Sequence, residues 1–316
     1  MNKIAILIPC YNEEKTIASV VQDFRSQLPD ADIYVFDNNS KDNTAKEAER
    51  AGAIIKKEKR QGKGNVVRSM FRQVDADVYV IVDGDGTYPA DRVHELIKPI
   101  INDDADMVTG SRLHTESDSR FKLVNRIGNK LFLFILNSIF KVGITDLLSG
   151  YRALSRGVVK SIPVLSSGFE IETELTVKCL ERGYRITEIP VNLSPRHEKS
   201  ESKIKIFRDG ILIFNTIFAL FRDYKPMRAF GSIGLFLIIC GFIPGIVVIK
   251  EFVSTGYIER IPSAILAVGL VLSGLLVAFV GLILHTIARR FQGIEHQLQN
   301  LTDTIYKKPE SRTPGE

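Results

Sequence analysis

The stretch that decides the fold is DVYVIVDGDG, residues 77–86. Val78 to Val82 is an unbroken apolar run rich in β-branched residues, and it stops abruptly at two carboxylates separated by one glycine. A strand buried on both faces reads this way, as strands do in a parallel sheet covered by helices. Upstream, Lys3–Ile8 is a similar short run closed by Pro9, followed by a helical pattern over Glu13–Gln27. Ile33–Phe36 is a second strand, Asp37–Asp42 a polar turn, Thr44–Arg50 a helix and Ala53–Ile55 a third strand. Gly62-Lys63-Gly64 then opens a helix running to about Val74, which makes Asp77–Val82 the fourth strand. This alternation predicts an α/β fold, a doubly wound and mostly parallel sheet. Such sheets bind ligands beyond the carboxyl ends of their strands. Tyr11–Glu14, Asp37–Asp42 and Asp83–Asp85 all follow strands, so they are expected to meet in one crevice.

The residue types there suit phosphorylated ligands. Asp83 and Asp85 can share a hard divalent cation, Mg²⁺ or Mn²⁺, whose remaining ligands come from substrate phosphates. Standing alone, an Asp-Gly-Asp reads more readily as a turn, and its place after a fourth parallel strand, beside the other motifs, reverses that. Asp37 is placed to hold a nucleotide base or ribose, while Ser40 or Asp42 caps the next helix. Lys63, at a helix start among glycines, suits a diphosphate or is part of a basic loop. The segment lacks the GxxxxGK[ST] pattern, which argues against a P-loop ATPase.

The charge of +5 points to anionic partners, but basic residues flank apolar segments and do not interleave with aromatics, so no nucleic-acid partner is expected. Cys10, Cys179 and Cys240 show no pairing pattern, which fits a reducing compartment. His94, His114, His197 and His285 show no metal-ligand spacing. The N-terminus reads as a first strand and not as a signal peptide. Ala229–Ile249 (21 residues) and Ser263–Ile287 (25 residues) contain no Asp, Glu, Lys or Arg. Each is long enough to cross a bilayer, which takes about 20 residues. Arg222, Lys225 and Arg228 precede them and Arg289 and Arg290 follow, whereas the loop Lys250–Pro262 is charge-balanced. The positive-inside rule then places both flanks in the cytoplasm. Gly241 and Gly245 form a GxxxG pair. Phe121–Lys141 and Lys203–Phe221 are amphipathic, as core helices or as helices in the membrane interface. Ile287, Phe291, Ile294, Leu298, Leu301 and Ile305 recur as an a/d seam, and the chain beyond Lys308 is polar and Pro-rich.

The expected organisation is a cytoplasmic catalytic domain at 1–202 and a juxtamembrane helix at 203–228. A two-span hairpin at 229–287, a cytoplasmic helix at 288–308 and a disordered tail at 309–316 complete it. The helical seam favours a homo-oligomer over docking on the chain's own catalytic domain.

Ile8-Pro9-Cys10-Tyr11-Asn12-Glu13-Glu14, the Asp37 turn, Asp83-Gly84-Asp85 and Thr109-Gly110-Ser111-Arg112 together resemble glycosyltransferase family 2, with its GT-A fold. Asn125-Arg126, Asp146–Arg152, Gly168–Glu174 and Pro195–Lys203 are similar to the polyprenyl-phosphate branch of that family, typified by dolichol-phosphate mannose synthase. The resemblance covers about residues 3–210. It implies that Pro9, Tyr11, Glu13 and Asp37 bind the nucleoside of a UDP- or GDP-linked sugar, and that Asp83 and Asp85 hold metal and diphosphate. Arg112, Arg126, Arg196 and Lys203 would grip the phosphate of an undecaprenyl or dolichyl acceptor. Thr87 stands where many relatives have a glutamine that helps the metal. Some relatives have an acidic residue where Gly150 stands, which leaves Asp146 as the nearer acidic candidate. The implied reaction is inverting hexosyl or N-acetylhexosaminyl transfer at the cytoplasmic face, and the resemblance to anchored relatives implies an oligomer, a tetramer over a dimer. Another membrane-lipid acceptor and a non-catalytic membrane scaffold are the alternatives. A processive polysaccharide synthase is disfavoured, because the chain contains no Trp for the Gln-x-x-Arg-Trp motif of those enzymes.

Overall fold

The computed structural model describes residues 2–112, 133, 136–137, 142–194, 222 and 226–306. The chain forms two compact units, Met1–Ile217 and Phe218–Glu316.

The first unit is built on β1 (Ile4–Cys10), β2 (Asp32–Asp37), β3 (Ile54–Lys57), β4 (Val78–Ile81), β5 (Met107–Arg112), β6 (Arg152–Ser155) and β7 (Ile186–Val191). Among the described residues they form one sheet in the order β3-β2-β1-β4-β6-β5-β7. The pairings are parallel except for β6, which runs antiparallel between β4 and β5. Helices α1 (Ile17–Gln27), α2 (Thr44–Arg50), α3 (Lys63–Gln73), α4 (Val93–Ile101), α5 (Arg156–Ser161) and α6 (Ile171–Glu181) connect the strands. Strand alternation splits the core over the two sheet faces. Ile6, Ile8 and Val80 pack with Val21 and Phe24 of α1 on one side. Ala5, Leu7 and Tyr79 pack with Val66 and Met70 of α3 on the other. The apolar run of β4 is therefore buried along its whole length, as its composition requires.

Helix α1 starts at Ile17, four residues later than the sequence pattern implies. The N–H groups of Asn12, Glu13 and Glu14 donate to Ser40, Thr44 and Asp42 at 3.0, 2.8 and 3.2 Å, so this segment is laced to the loop after β2. Asp42 also accepts from the Thr44 N–H at 3.0 Å, next to the start of α2. The amphipathic stretches expected at 121–141 and 203–221 lie outside the described residues, apart from 133, 136 and 137, which are helical.

The second unit pairs α7 (Pro226–Thr255) with α8 (Ile261–Tyr306) as an antiparallel hairpin. Their apolar portions, 30 and 31 residues long, could each span a membrane. A Cβ on Gly234 would lie 2.6 Å from the Gly274 carbonyl, and one on Gly241 2.8 Å from Val271. On Gly281 it would lie 2.7 Å from Phe230. Gly234, Gly241 and Val248 on α7 are buried against Ala267, Gly274 and Gly281 on α8, and Pro226 and Ala229 are buried near the start of α7. The seam thus repeats every seven residues, the period that keeps two helices in register. Gly241 belongs to it, but a Cβ on Gly245 would make only an ordinary 3.6 Å contact. The GxxxG pair is therefore a by-product of this heptad pattern.

Candidate active site

The expected crevice lies at the carboxyl edge of the sheet. Cys10 pairs with Asp37, which brings the ends of β1 and β2 level, and the chain leaves β4 directly into Asp83-Gly84-Asp85. Gly84 passes so close to β1 that an added Cβ would sit 2.6 Å from the Cys10 sulfur. Thr16 secures the turn by donating to the Gly84 carbonyl at 2.7 Å.

On the β2 side, Asp37 is buried and accepts the Ser40 N–H at 3.2 Å. Asn38 beside it donates to the carbonyls of Glu58 and Arg60 and accepts the Gly62 N–H at 2.7 Å. One amide thus ties β2 to the loop that opens α3. Pro9, Tyr11 and Glu13 are half-buried along the same edge.

At the centre, the Lys63 ammonium stands 2.5 Å from Asp83 and 2.6 Å from Glu172 on α6. Burial alone would drive its pKa down, but the two carboxylates outweigh that and hold it above the usual lysine range. Asp85 is buried and accepts both the N–H and the hydroxyl of Thr87, at 3.1 and 2.7 Å. Thr87 therefore supports Asp85 directly. Gly150 faces Asp83 so closely that a Cβ would lie 2.4 Å from its carboxylate oxygen and 3.0 Å from Lys63 Nζ. No side chain fits there beside Asp83. The glycines around Lys63 also have a packing cause: Cβ atoms on Gly62 and Gly64 would strike the carbonyls of Ser167 and Ser166 at 2.1 and 2.2 Å.

Arg112, at the end of β5, makes a bidentate pair with Asp146, 2.7 Å from Nε and 2.8 Å from the second guanidinium nitrogen. Asp146 also accepts the N–H groups of Arg112 and Leu148, at 3.0 and 3.1 Å. Its own N–H is held by Glu188 of β7 at 3.1 Å. Burial would raise the Asp146 pKa, but Arg112 overrides it and keeps the carboxyl below its ordinary range. Asp146 is thus an ionised anchor for Arg112, with its lone pairs in use. Tyr88, buried nearby, accepts the Gly150 N–H at 2.9 Å.

The structure brings Pro9, Tyr11, Glu13, Asp37, Lys63, Asp83, Asp85, Thr87, Arg112 and Asp146 to one sheet edge. Arg126, Arg196 and Lys203 lie outside the described residues. Sequence reasoning gave no role to Glu172 or Tyr88. Their partners are remote in the chain, and although Glu172 lies within the Gly168–Glu174 segment, nothing local marks its pairing with Lys63.

Two carboxylates with oxygen donors only are a donor set for a hard cation. No group of three or more His, Cys, Asp and Glu able to hold a metal occurs among the described residues. An ion here must draw most of its ligands from phosphate and water, as Mg²⁺ commonly does.

Residues 5–162 match the family model described as Glycosyl transferase family 2. Glycosyltransferase AglJ of Haloferax volcanii is 35% identical over 236 residues, covering 73% of this chain and 76% of that protein. The dolichyl-phosphate hexose transferase of the same organism is 29% identical over 214 residues, 68% of this chain and 92% of its own. Glucosyl-3-phosphoglycerate synthase from Mycobacterium tuberculosis, solved with Mn²⁺, UDP-glucose and phosphoglyceric acid, is similar with a TM-score of 0.60 at 20% identity. That likeness spans 69% of this chain and 79% of the other, and is one of fold.

Proposed function

Because the chain belongs to glycosyltransferase family 2, we propose that it transfers a hexose or N-acetylhexosamine from a nucleotide-sugar to a polyprenyl phosphate at the cytoplasmic membrane face. The observation that carries this reading is the union, in one chain, of a transferase unit with two apolar helices of 30 and 31 residues. A water-soluble acceptor needs no such helices, whereas a polyprenyl chain is delivered only within a bilayer. The name of the dolichyl-phosphate hexose transferase, which this chain resembles over most of its length, supports the same acceptor.

In this reading Pro9, Tyr11, Glu13 and Asp37 hold the nucleoside, and Asp83 and Asp85 carry Mg²⁺ or Mn²⁺ with the diphosphate, Thr87 steadying Asp85. The ion would draw off charge that develops on the departing diphosphate. Arg112 faces the acceptor phosphate, joined by Arg126, Arg196 and Lys203. The acceptor is already an anion near neutral pH, so its oxygen attacks the anomeric carbon without a base. That carbon's bond to the diphosphate oxygen breaks as the new bond forms, which inverts the centre. Asp146, saturated by Arg112 and two N–H groups, positions Arg112 and takes no proton. What the protein supplies is orientation and offset of like charges.

Arg228, Arg289 and Arg290 favour cytoplasmic placement of both hairpin flanks. Ile287, Phe291 and Ile294 of α8 are exposed in the single chain. They open the a/d seam, whose later side chains lie outside the described residues, and a second copy would cover them. Light scattering on a Leu298→Asp, Leu301→Asp variant tests this, since an unchanged mass removes the tail from any interface.

The decisive experiment incubates the full chain in detergent with polyprenyl phosphate and a panel of UDP- and GDP-sugars. A lipid-phosphate-sugar product that depends on Mg²⁺ or Mn²⁺ is expected. Transfer to soluble phosphorylated acids with none to lipid would overturn the reading.

A further inference from the structure

Arg152, the first residue of β6, is 1% exposed and among the largest fully buried side chains. Its nitrogens donate to the carbonyls of Ser149 at 2.9 Å and Leu147 at 2.8 Å, and to the Thr176 hydroxyl on α6 at 2.8 Å. It forms no ion pair among the described residues. Burial pulls its guanidinium below the usual arginine range, yet arginine's basicity keeps it charged. Glu172 and Asp146 offset part of that burial from a distance, but a buried charge with no carboxylate in contact costs several kcal/mol unless dipoles replace its water. Carbonyls turned inward do this here.

Those two carbonyls belong to peptide groups whose other ends point at the site. The 147–148 peptide gives its oxygen to Arg152 and its N–H to Asp146 at 3.1 Å. The 149–150 peptide gives its oxygen to Arg152 and its N–H to the Tyr88 hydroxyl at 2.9 Å. One peptide therefore braces the anchor of Arg112. The other sets Gly150 against Asp83.

The geometry points to Arg152 as a positioning residue: by fixing these two peptide planes it holds Arg112 and Asp83 in register, coupling the acceptor-phosphate side of the crevice to the diphosphate side. This assignment rests on the proposed lipid-phosphate transfer only for its kinetic consequence.

The test compares Arg152→Lys with Thr176→Val, which keeps the charge and removes one anchor. In Arg152→Lys, kcat should fall at least tenfold and the lipid-phosphate KM should rise several-fold, with UDP or GDP affinity within twofold of wild type. Thr176→Val should move the same quantities less. Adding Asp146→Asn to Arg152→Lys should cost less than the product of the single effects, because both act through Arg112. Amide hydrogen exchange over 146–151 should quicken in both single variants. Unchanged lipid kinetics and unchanged exchange in folded variants overturn the proposal, as does a loss confined to thermal stability. If Arg152→Lys does not fold, Thr176→Val alone decides by the same measures. A wild type inactive on polyprenyl phosphate ends the functional reading, while the exchange comparison still decides whether Arg152 holds the loop.

Discussion

At Gly150 a single added methyl group should be enough to disturb the reaction. A Cβ there would stand 2.4 Å from one Asp83 oxygen, so Asp83 has to swing away from its place beside Lys63. Gly150→Ala is expected to raise the Mn²⁺ concentration needed for half-maximal transfer and to lower kcat on the order of 10²-fold, the penalty of a displacement near 1 Å. A metal titration of transfer measures it, and an unaltered titration curve would take Asp83 out of the metal site. Asp146 makes a second case. Asp146→Asn frees Arg112 and should cost about 10-fold or more in lipid-phosphate kcat/KM while sparing nucleotide affinity. Its folded pKa is depressed, so the pair stabilises the fold above the ordinary carboxylate value of about 4 and stops doing so as pH falls through the folded value. The Tm gap between wild type and Asp146→Asn should therefore close in acid, and a gap independent of pH would deny the ion pair its part in stability. The sequence places Asp37, Asp83 and Asp85 after apolar strands, and the structure brings them to one sheet edge, although each taken alone also reads as part of a turn. Glu172 and Tyr88 were not legible, since their meaning arises only when α6 and the turn after β4 meet Lys63 and Gly150.

Among the elements, the first four strands were legible, while β5, β6, β7 and the loops that brace the sheet were not. β4 is apolar along its whole length because helices cover both faces, and that composition survives in the bare sequence. β6 escaped notice as an antiparallel strand because its four residues carry no alternation of their own, and its direction follows from where the chain returns after the site segment. Gly62 and Gly64 were open to a phosphate-loop reading, yet their closest neighbours are the carbonyls of Ser167 and Ser166. That 163–168 loop is itself clamped. Glu174 accepts the N–H groups of Leu165 and Ser166 at 2.9 and 2.8 Å, and Lys178 donates to the Pro163 carbonyl at 2.6 Å. Glu174 and Lys178 form a 2.6 Å pair with each side chain 3% exposed. Removing one partner strands a buried charge, at about 3–5 kcal/mol. Glu174→Gln should thus lower Tm on the order of 10 °C, and adding Lys178→Met should restore part of it. A Tm indifferent to Glu174→Gln would mean that the loop holds α3 by backbone packing alone.

On the scale of the whole molecule, the hairpin constrains topology before any charge is considered. Helices α7 and α8 run antiparallel and meet on a seam of small residues repeating every seven positions. If both span the membrane, Pro226 and Phe291 emerge on one face and the turn around Gly256, with its φ of 74°, on the other. The 46 residues of α8 reach about 69 Å at 1.5 Å per residue, more than twice a hydrocarbon core of roughly 30 Å. The helix therefore continues well past the bilayer on the side of Arg289 and Arg290. Charge then selects which face this is, and in the proposed orientation the basic flanks lie in the cytoplasm. In a Cys240→Ala background, Tyr257→Cys should react with a membrane-impermeant maleimide in intact cells, because Tyr257 is 77% exposed at the turn. Thr304→Cys should react only after permeabilisation. The native Cys10 and Cys179 are buried and give little background. The reverse pattern would put the catalytic crevice outside and refute transfer at the cytoplasmic face. Labelling of both sites in intact cells would mean that the hairpin does not span, leaving the seam as the packing of two helices that lie on the membrane surface.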